Sequence, residues 1–269
     1  MNYKVFDCIT FFDENLLTNA RFEILNDVVD YFIICESNFD HKGNEKKINF
    51  ELKNSKFKHK IRHLVINNNF PDLSDGWKIE KFQREEIIKE LRDAEKDDYI
   101  MYSDSDEIPN PKLIKNIDLV KKFGIFLQNF YVYKLNIFNQ YETPWEGTRI
   151  TKKKYLKSIT HLRKKIRSKN LSKSFWKLNN EKSIQLFNNG GWHFNNLYIP
   201  DQISKKLKTF QHPKFGSDKY SSVDVIKNKI KNLEDLFGRN HKYKKTELNS
   251  EDYPEYIISN IGLFKNYIS

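Results

Sequence analysis

One apolar run in this chain ends in three carboxylates. Tyr99-Ile100-Met101-Tyr102 is followed by Ser103-Asp104-Ser105-Asp106-Glu107-Ile108-Pro109. The apolar part reads as a buried strand. The acidic part then sits where the strand leaves its sheet, the edge at which open α/β sheets bind ligands. Asp104 and Asp106, one residue apart, can turn oxygens toward one hard cation such as Mg²⁺ or Mn²⁺. A cation held in this way binds a diphosphate and stabilises it as a leaving group. The same residues would also serve as an acidic turn whose Asp side chains cap a following helix.

Other polar groups fall at predicted strand ends. Asp7 lies near the end of a first strand and Glu36 ends a second. In a parallel sheet these would converge with Asp104 and Asp106 on one edge. Glu36 could accept hydrogen bonds from a ribose or a base, or cap a turn. Arg84 could grip a diphosphate bidentately, or make ordinary contacts one helical turn away. In Gly190-Gly191-Trp192-His193 the glycines allow close backbone approach or positive φ. Trp192 there offers a face for a sugar ring, and His193 a neutral imidazole for the cation. His212 is a second candidate ligand. A lone histidine also serves as a hydrogen-bonded structural residue. Trp145-Glu146-Gly147, read as a loop, could present an aromatic platform and a carboxylate. Glu146 or Glu107 could take a proton from an attacking hydroxyl, with Asp201 a third option. The sequence lacks a P-loop, a dinucleotide glycine fingerprint, a G-x-S-x-G elbow and a C-x-x-C zinc pattern.

These groups need a frame. Lys4–Thr10, Tyr31–Cys35, Ile61–Ile66, Asp98–Ser103 and Ser183–Phe187 read as strands, and 125–138 as antiparallel strands. Glu14–Leu25, Lys78–Ala94, Pro200–Phe210 and Ser222–Phe237 read as helices, with a short one from Pro111 toward Lys122. Strands alternating with helices predict an α/β fold. Its mostly parallel sheet would be flanked by helices on both faces, with a helical C-terminal portion. The expected division is a catalytic domain over 1–216 and a helical extension, 217–269, packed on it.

The 269 residues carry a net charge of +11, but Thr151–Lys173 holds ten Lys or Arg and no Asp or Glu. The rest is near neutral. Such a run can draw phosphate-rich partners or an anionic membrane, or simply be a solvated face. Cys8 and Cys35 lie in apolar runs and predict no disulfide framework. The N-terminus does not read as a signal peptide and no stretch reaches membrane-span length. A soluble, cytoplasmic protein, with peripheral membrane association as an option, is the expectation.

Taken in order, the motifs resemble those of glycosyltransferase family 17. The resemblance rests on Phe6-Asp7-Cys8-Ile9-Thr10-Phe11-Phe12, on Val29 to Asn38, and on Gln83-Arg84 with Asp97-Asp98. It continues through the acidic block, Gly191-Trp192-His193-Phe194 and Lys208 to His212, over residues 3 to 216. It implies a GT-A-like fold, a divalent cation (Mn²⁺ or Mg²⁺) and inverting transfer from a UDP-sugar, N-acetylglucosamine foremost, to a glycan or lipid-linked glycan. Asp104, Asp106 and His193 or His212 would bind metal. Asp7, Phe11, Glu36, Arg84, Asp104 and Trp192 would bind the donor, and Glu146 or Glu107 would be the base. Lacking a membrane anchor, the chain would build a bacterial or viral surface glycan. A basic nucleic-acid-binding protein and an inactive glycan-binding relative are the competing readings, although nucleic acid is not the expected partner.

Overall fold

The computed structural model describes residues 3–174, 180–209 and 216–269. The chain opens with β1 (Val5–Phe11), α1 (Asn15–Leu25), β2 (Tyr31–Ser37) and β3 (Ile61–Ile66). Next come α2 (Gly76–Glu86), which tightens into a 3₁₀ turn over Ile87–Leu91, then β4 (Tyr99–Asp104), β5 (Glu107–Pro109) and α3 (Pro111–Lys115). A second group follows: β6 (Phe123–Val132), β7 (Ile137–Phe138), β8 (Trp145–Lys152), α4 (Ile159–Lys165), β9 (Ile184–Phe187) and β10 (Gly191–Asn195). The chain closes with α5 (Pro200–Thr209), α6 (Asp218–Ser221), α7 (Val223–Lys231), β11 (Lys244–Lys245) and α8 (Glu255–Ser259).

Among the described residues eleven strands form one sheet, with the path β11-β7-β6-β8-β4-β1-β2-β3. The fold is α/β, as expected, but the sheet is mixed rather than mostly parallel. β3, β2, β1 and β4 run parallel. β8 is antiparallel to both β4 and β6. The connection from β6 to β8 holds no crossover helix, and strands joined that directly pair antiparallel. β10 returns parallel to β6 and antiparallel to β5.

Side-chain alternation divides the parallel strands between two cores. Val5, Ile9 and Phe11 of β1, with Tyr99 and Met101 of β4, pack in a core that includes α1 residues Leu17, Phe22 and Leu25. Phe6, Cys8, Ile100 and Tyr102 point the other way, toward Ile87, Leu91, Ile159 and Leu162. Cys8 and Cys35 are free buried thiols, both pushed up by burial. The C-terminal segment contacts the first core and the sheet. Phe264 is in the first core, the Tyr267 carbonyl accepts from the Leu135 N–H at 2.8 Å, and β11 pairs with β7. Residues 217–269 thus combine short helices with a strand, and α7 ends at Lys231 instead of running to Phe237.

The helix expected over 78–94 starts earlier, because the Asp75 side chain accepts from the Trp77 N–H. Trp145-Glu146-Gly147 is the start of β8, not a loop. Among the described residues no helix is long and apolar enough to cross a membrane.

Candidate functional site

β1 and β4 lie side by side with Thr10 opposite Asp104. Their carboxyl ends open into a cavity of about 800 Å³. Thr10 and Phe11 of β1 and Phe12 just after it line the cavity, with Asp104, Ser105 and Asp106 from the acidic block. α2 contributes Trp77, Glu80, Gln83 and Arg84, and β8 contributes Trp145. His193 and Asn195 of β10 with Asn196 after it, Lys206 and Leu207 of α5, Phe237 and Arg239 after α7, and Glu14 and His41 also line it.

Asp104 is the last residue of β4 and its side chain is 42% exposed. One oxygen is bonded by the Arg163 guanidinium and the other faces the Tyr102 hydroxyl at 3.5 Å. The Asp106 Oδ1 lies 3.4 Å from His193 Nε2. Burial would raise the Asp106 carboxyl, but His193 and Lys206 hold it below the ordinary carboxylate range. Burial would lower His193; Asp106 beside it outweighs that and raises it. The imidazole stacks on Phe130 at 4.2 Å and meets Trp145 at 4.9 Å.

This pair carries a pH signature. His193 is raised on folding, so its stabilisation is full below its unfolded value of 6.5 and fades as pH climbs through the folded value. Asp106 is lowered, so its stabilisation is present above 3.8 and fades as pH falls through the folded value. The gap in unfolding midpoint between wild type and His193→Gln is therefore expected to be widest between the two unfolded values, 3.8 and 6.5, and to shrink as pH climbs through the folded value of His193. A gap that stays constant across a pH series of thermal melts would contradict the ion pair.

Arg84 lies on the inward face of α2, almost fully buried. Its Nη1 donates to Glu80 at 3.0 Å, while its buried Nε has no hydrogen-bond partner among the described residues. Gln83 beside it is structural, donating to the Cys35 carbonyl at 2.9 Å.

Several residues expected in the site stand elsewhere. Asp7 is in the middle of β1, fully buried, with both oxygens 2.5 Å from Arg21. Arg21 also donates to the Glu107 carbonyl and to Ser103 Oγ, so Asp7 braces the underside of the acidic block instead of facing the cavity. Glu36 ends β2, but its carboxylate accepts from Lys46 at 2.8 Å, the Asn49 and Phe50 N–H groups, and His63. Burial alone would raise it; those hydrogen bonds hold it low. Glu36 pins the 46–50 segment and does not line the cavity.

Trp192 points away as well. Successive residues of β10 face opposite sides, so Trp192 enters the first core and donates to the Asp252 carbonyl at 2.6 Å, while His193 faces the cavity. The glycines before it serve strand docking. Gly191 has φ +119°, and a Cβ there would lie 2.2 Å from the Ile108 carbonyl oxygen. The aromatic wall beside the acidic block is Trp145, fixed by its indole N–H donating to Glu107 at 2.7 Å.

Neither expected base is free in the cavity. Glu107 is completely buried and accepts from Arg163, Trp145 and the Asp104 N–H. Glu146 is held by Arg149 at 3.1 Å and by Ser168. Asp201 is exposed in the first turn of α5 and does not line the cavity. His212 lies outside the described residues.

The basic run is not one solvated face. It spans the end of β8 and α4; Lys152 and Lys154 pair with Asp97, Lys164 lies 4.4 Å over the Trp77 ring, and Arg163 points inward. Glu14, Glu80, Lys206 and Arg163, absent from the expected site, are in or beside the cavity. No short motif marks them; only the helical face on which Glu80 and Arg84 stand four apart was available as a signal.

Among the described residues no three His, Cys, Asp or Glu side chains form a metal cage. Two carboxylates facing one cavity are nonetheless what Mg²⁺ or Mn²⁺ takes from a protein when substrate phosphates and waters fill the other positions. The donor set of Asp104 and Asp106 fits that coordination.

Comparison with known proteins gives a family. A family profile described as Glycosyltransferase family 17 matches residues 1–250, well past residue 216. A β-1,4-mannosyl-glycoprotein 4-β-N-acetylglucosaminyltransferase of Rattus norvegicus is 35% identical over 117 residues, covering 39% of this chain and 22% of the relative. The enzyme of the same name from Homo sapiens matches with the same identity and coverage. The matched stretch thus spans about a fifth of those relatives' length.

Proposed function

This chain belongs to glycosyltransferase family 17, and we propose that its cavity binds a UDP-sugar and transfers the sugar, N-acetylglucosamine foremost, to a hydroxyl of a glycan acceptor with inversion. The observation that carries this reading is the convergence of Asp104, Asp106 and Arg84 on one cavity at the carboxyl ends of β1 and β4. The parallel half of the sheet, β3-β2-β1-β4, then corresponds to the nucleotide-binding half of a GT-A-like fold.

Asp104 and Asp106 would hold a divalent cation, which when bound neutralises charge on the diphosphate leaving group. Arg84, which lines the cavity, would bind the phosphates through the part of its guanidinium that Glu80 leaves open. His193 orients Asp106, as a hydrogen-bonded neighbour of a ligating carboxylate does. Trp145 supplies a flat wall on which a sugar ring can pack. Glu107 is completely buried and Glu146 lies outside the cavity. Of the carboxylates that line it, Glu14 accepts from the Phe12 and Asp13 N–H groups, and Glu80, more exposed and held by Arg84, would accept the proton of the acceptor hydroxyl.

A panel of nucleotide sugars tests this without knowledge of the acceptor. Slow release of free UDP is expected from one or more UDP-sugars, stopped by EDTA and restored by Mn²⁺. UDP release that ignores EDTA would remove the cation from the proposal. No consumption of any nucleotide sugar, with or without glycan acceptors, would favour a glycan-binding protein without activity.

A further inference from the structure

We propose that Arg163 is a positioning residue that sets the divalent-cation affinity of the acidic block. This rests on reading the cavity as the donor site. Arg163 belongs to a segment whose other cations are more exposed, yet it is buried and turned inward. α4 gives it a fixed seat. Ser158 caps the helix by accepting from the His161 N–H at 3.0 Å, the Thr160 N–H donates to Glu85 at 2.8 Å, and Ile159 and Leu162 are buried in the second core.

From that seat one guanidinium meets four acceptor oxygens on three residues. Nη1 and Nη2 donate to the two Glu107 oxygens at 3.1 and 2.7 Å. Nη1 also reaches the Gly147 carbonyl at 2.9 Å, and Nη2 bonds Asp104 Oδ2. Glu107 in turn accepts from the Asp104 N–H at 3.1 Å. Asp104 is thus held at both its backbone and its carboxylate, while part of that carboxylate stays open to the cavity.

The chemistry explains why an arginine stands here. Asp104, Asp106 and Glu107 bring three carboxylates together within four residues, and like charges at that spacing repel. A planar fork neutralises them and fixes their directions at once; a lysine supplies the charge without the fork. Hydrogen-bonded neighbours that fix a ligating side chain typically change metal affinity by about 10- to 100-fold.

Arg163→Lys separates charge from geometry. UDP binding is measured by calorimetry over a series of Mn²⁺ concentrations, together with thermal unfolding. The expected result is a rise of about tenfold or more in the Mn²⁺ concentration giving half-maximal UDP binding, with wild-type UDP affinity recovered at saturating Mn²⁺. A half-saturation within about twofold of wild type would overturn the proposal, as would UDP affinity that stays low at every Mn²⁺ concentration, the mark of structural damage. Should Arg163→Lys fail to fold, Glu107→Gln loosens the anchor of the same guanidinium and is expected to shift half-saturation in the same direction. Wild-type protein that binds no UDP at any Mn²⁺ concentration would overturn the donor-site reading and this proposal with it, whereas normal wild-type binding with an unshifted variant overturns this proposal alone.

Discussion

Replacing Asp106 by asparagine is expected to lower sugar transfer by about a hundred- to a thousandfold while the protein stays folded. Asparagine keeps the size and an acceptor oxygen but removes the charge. The loss therefore reports on electrostatics at the diphosphate rather than on packing. The structural effect is modest, because the replaced interaction is a single contact of 3.4 Å to His193. A small fall in unfolding midpoint accompanies it, since His193 loses the anion that raises it. Asp201→Asn is the matched control: the same chemical change at an exposed position outside the cavity should leave turnover within about twofold of wild type. Equal activity of Asp106→Asn and wild type would remove Asp106 from the site.

Glu107→Ala is expected to act mainly on stability, by about 3–5 kcal/mol. Glu107 is completely buried and anchors Arg163, the Trp145 indole and the Asp104 N–H. Alanine leaves a buried guanidinium and an indole N–H without their acceptor, the costly way to break a buried pair. In a chain of this size that corresponds to a fall in unfolding midpoint on the order of 10 °C. Glu146→Ala is the contrast. Its side chain is 23% exposed, and its partner Arg149 keeps the Ile166 carbonyl at 2.9 Å, so a cost of about 1 kcal/mol or less is expected. Thermal melts of both variants decide it, and equal small shifts would show that Glu107 is not the anchor described.

The sequence made the acidic block legible because a change in residue type coincided with a strand end. Arg84 was legible as a candidate because Gln83-Arg84 sits in an amphipathic helix. Asp7 and Glu36 show where such reading stops. Both are carboxylates on strands of the parallel half, yet their partners are Arg21, Lys46, Asn49 and His63, brought in by the helix, loop and strand that follow. Trp192 and His193 differ only by the face of a five-residue strand, whose register is set by β5 and β6.

The antiparallel part of the sheet was less legible still. β8 buries Thr148, Arg149 and Thr151, so it shows no apolar run, and Gly147 at its start gives a turn signal. A Cβ there would fall 1.7 Å from the end of the buried Gln128 side chain, which would have to shift. Arg163 was hidden among nine other cations, and only the seating of α4 against α2 and the second core singles it out.

Calorimetric titration of UDP into the wild-type protein, with and without Mn²⁺, and into Asp106→Asn with Mn²⁺, bears most directly on the claim that the acidic block organises a nucleotide-sugar site. Saturable binding that requires Mn²⁺ and is lost in Asp106→Asn is expected. UDP binding of equal strength in all three titrations, or in none, would contradict it.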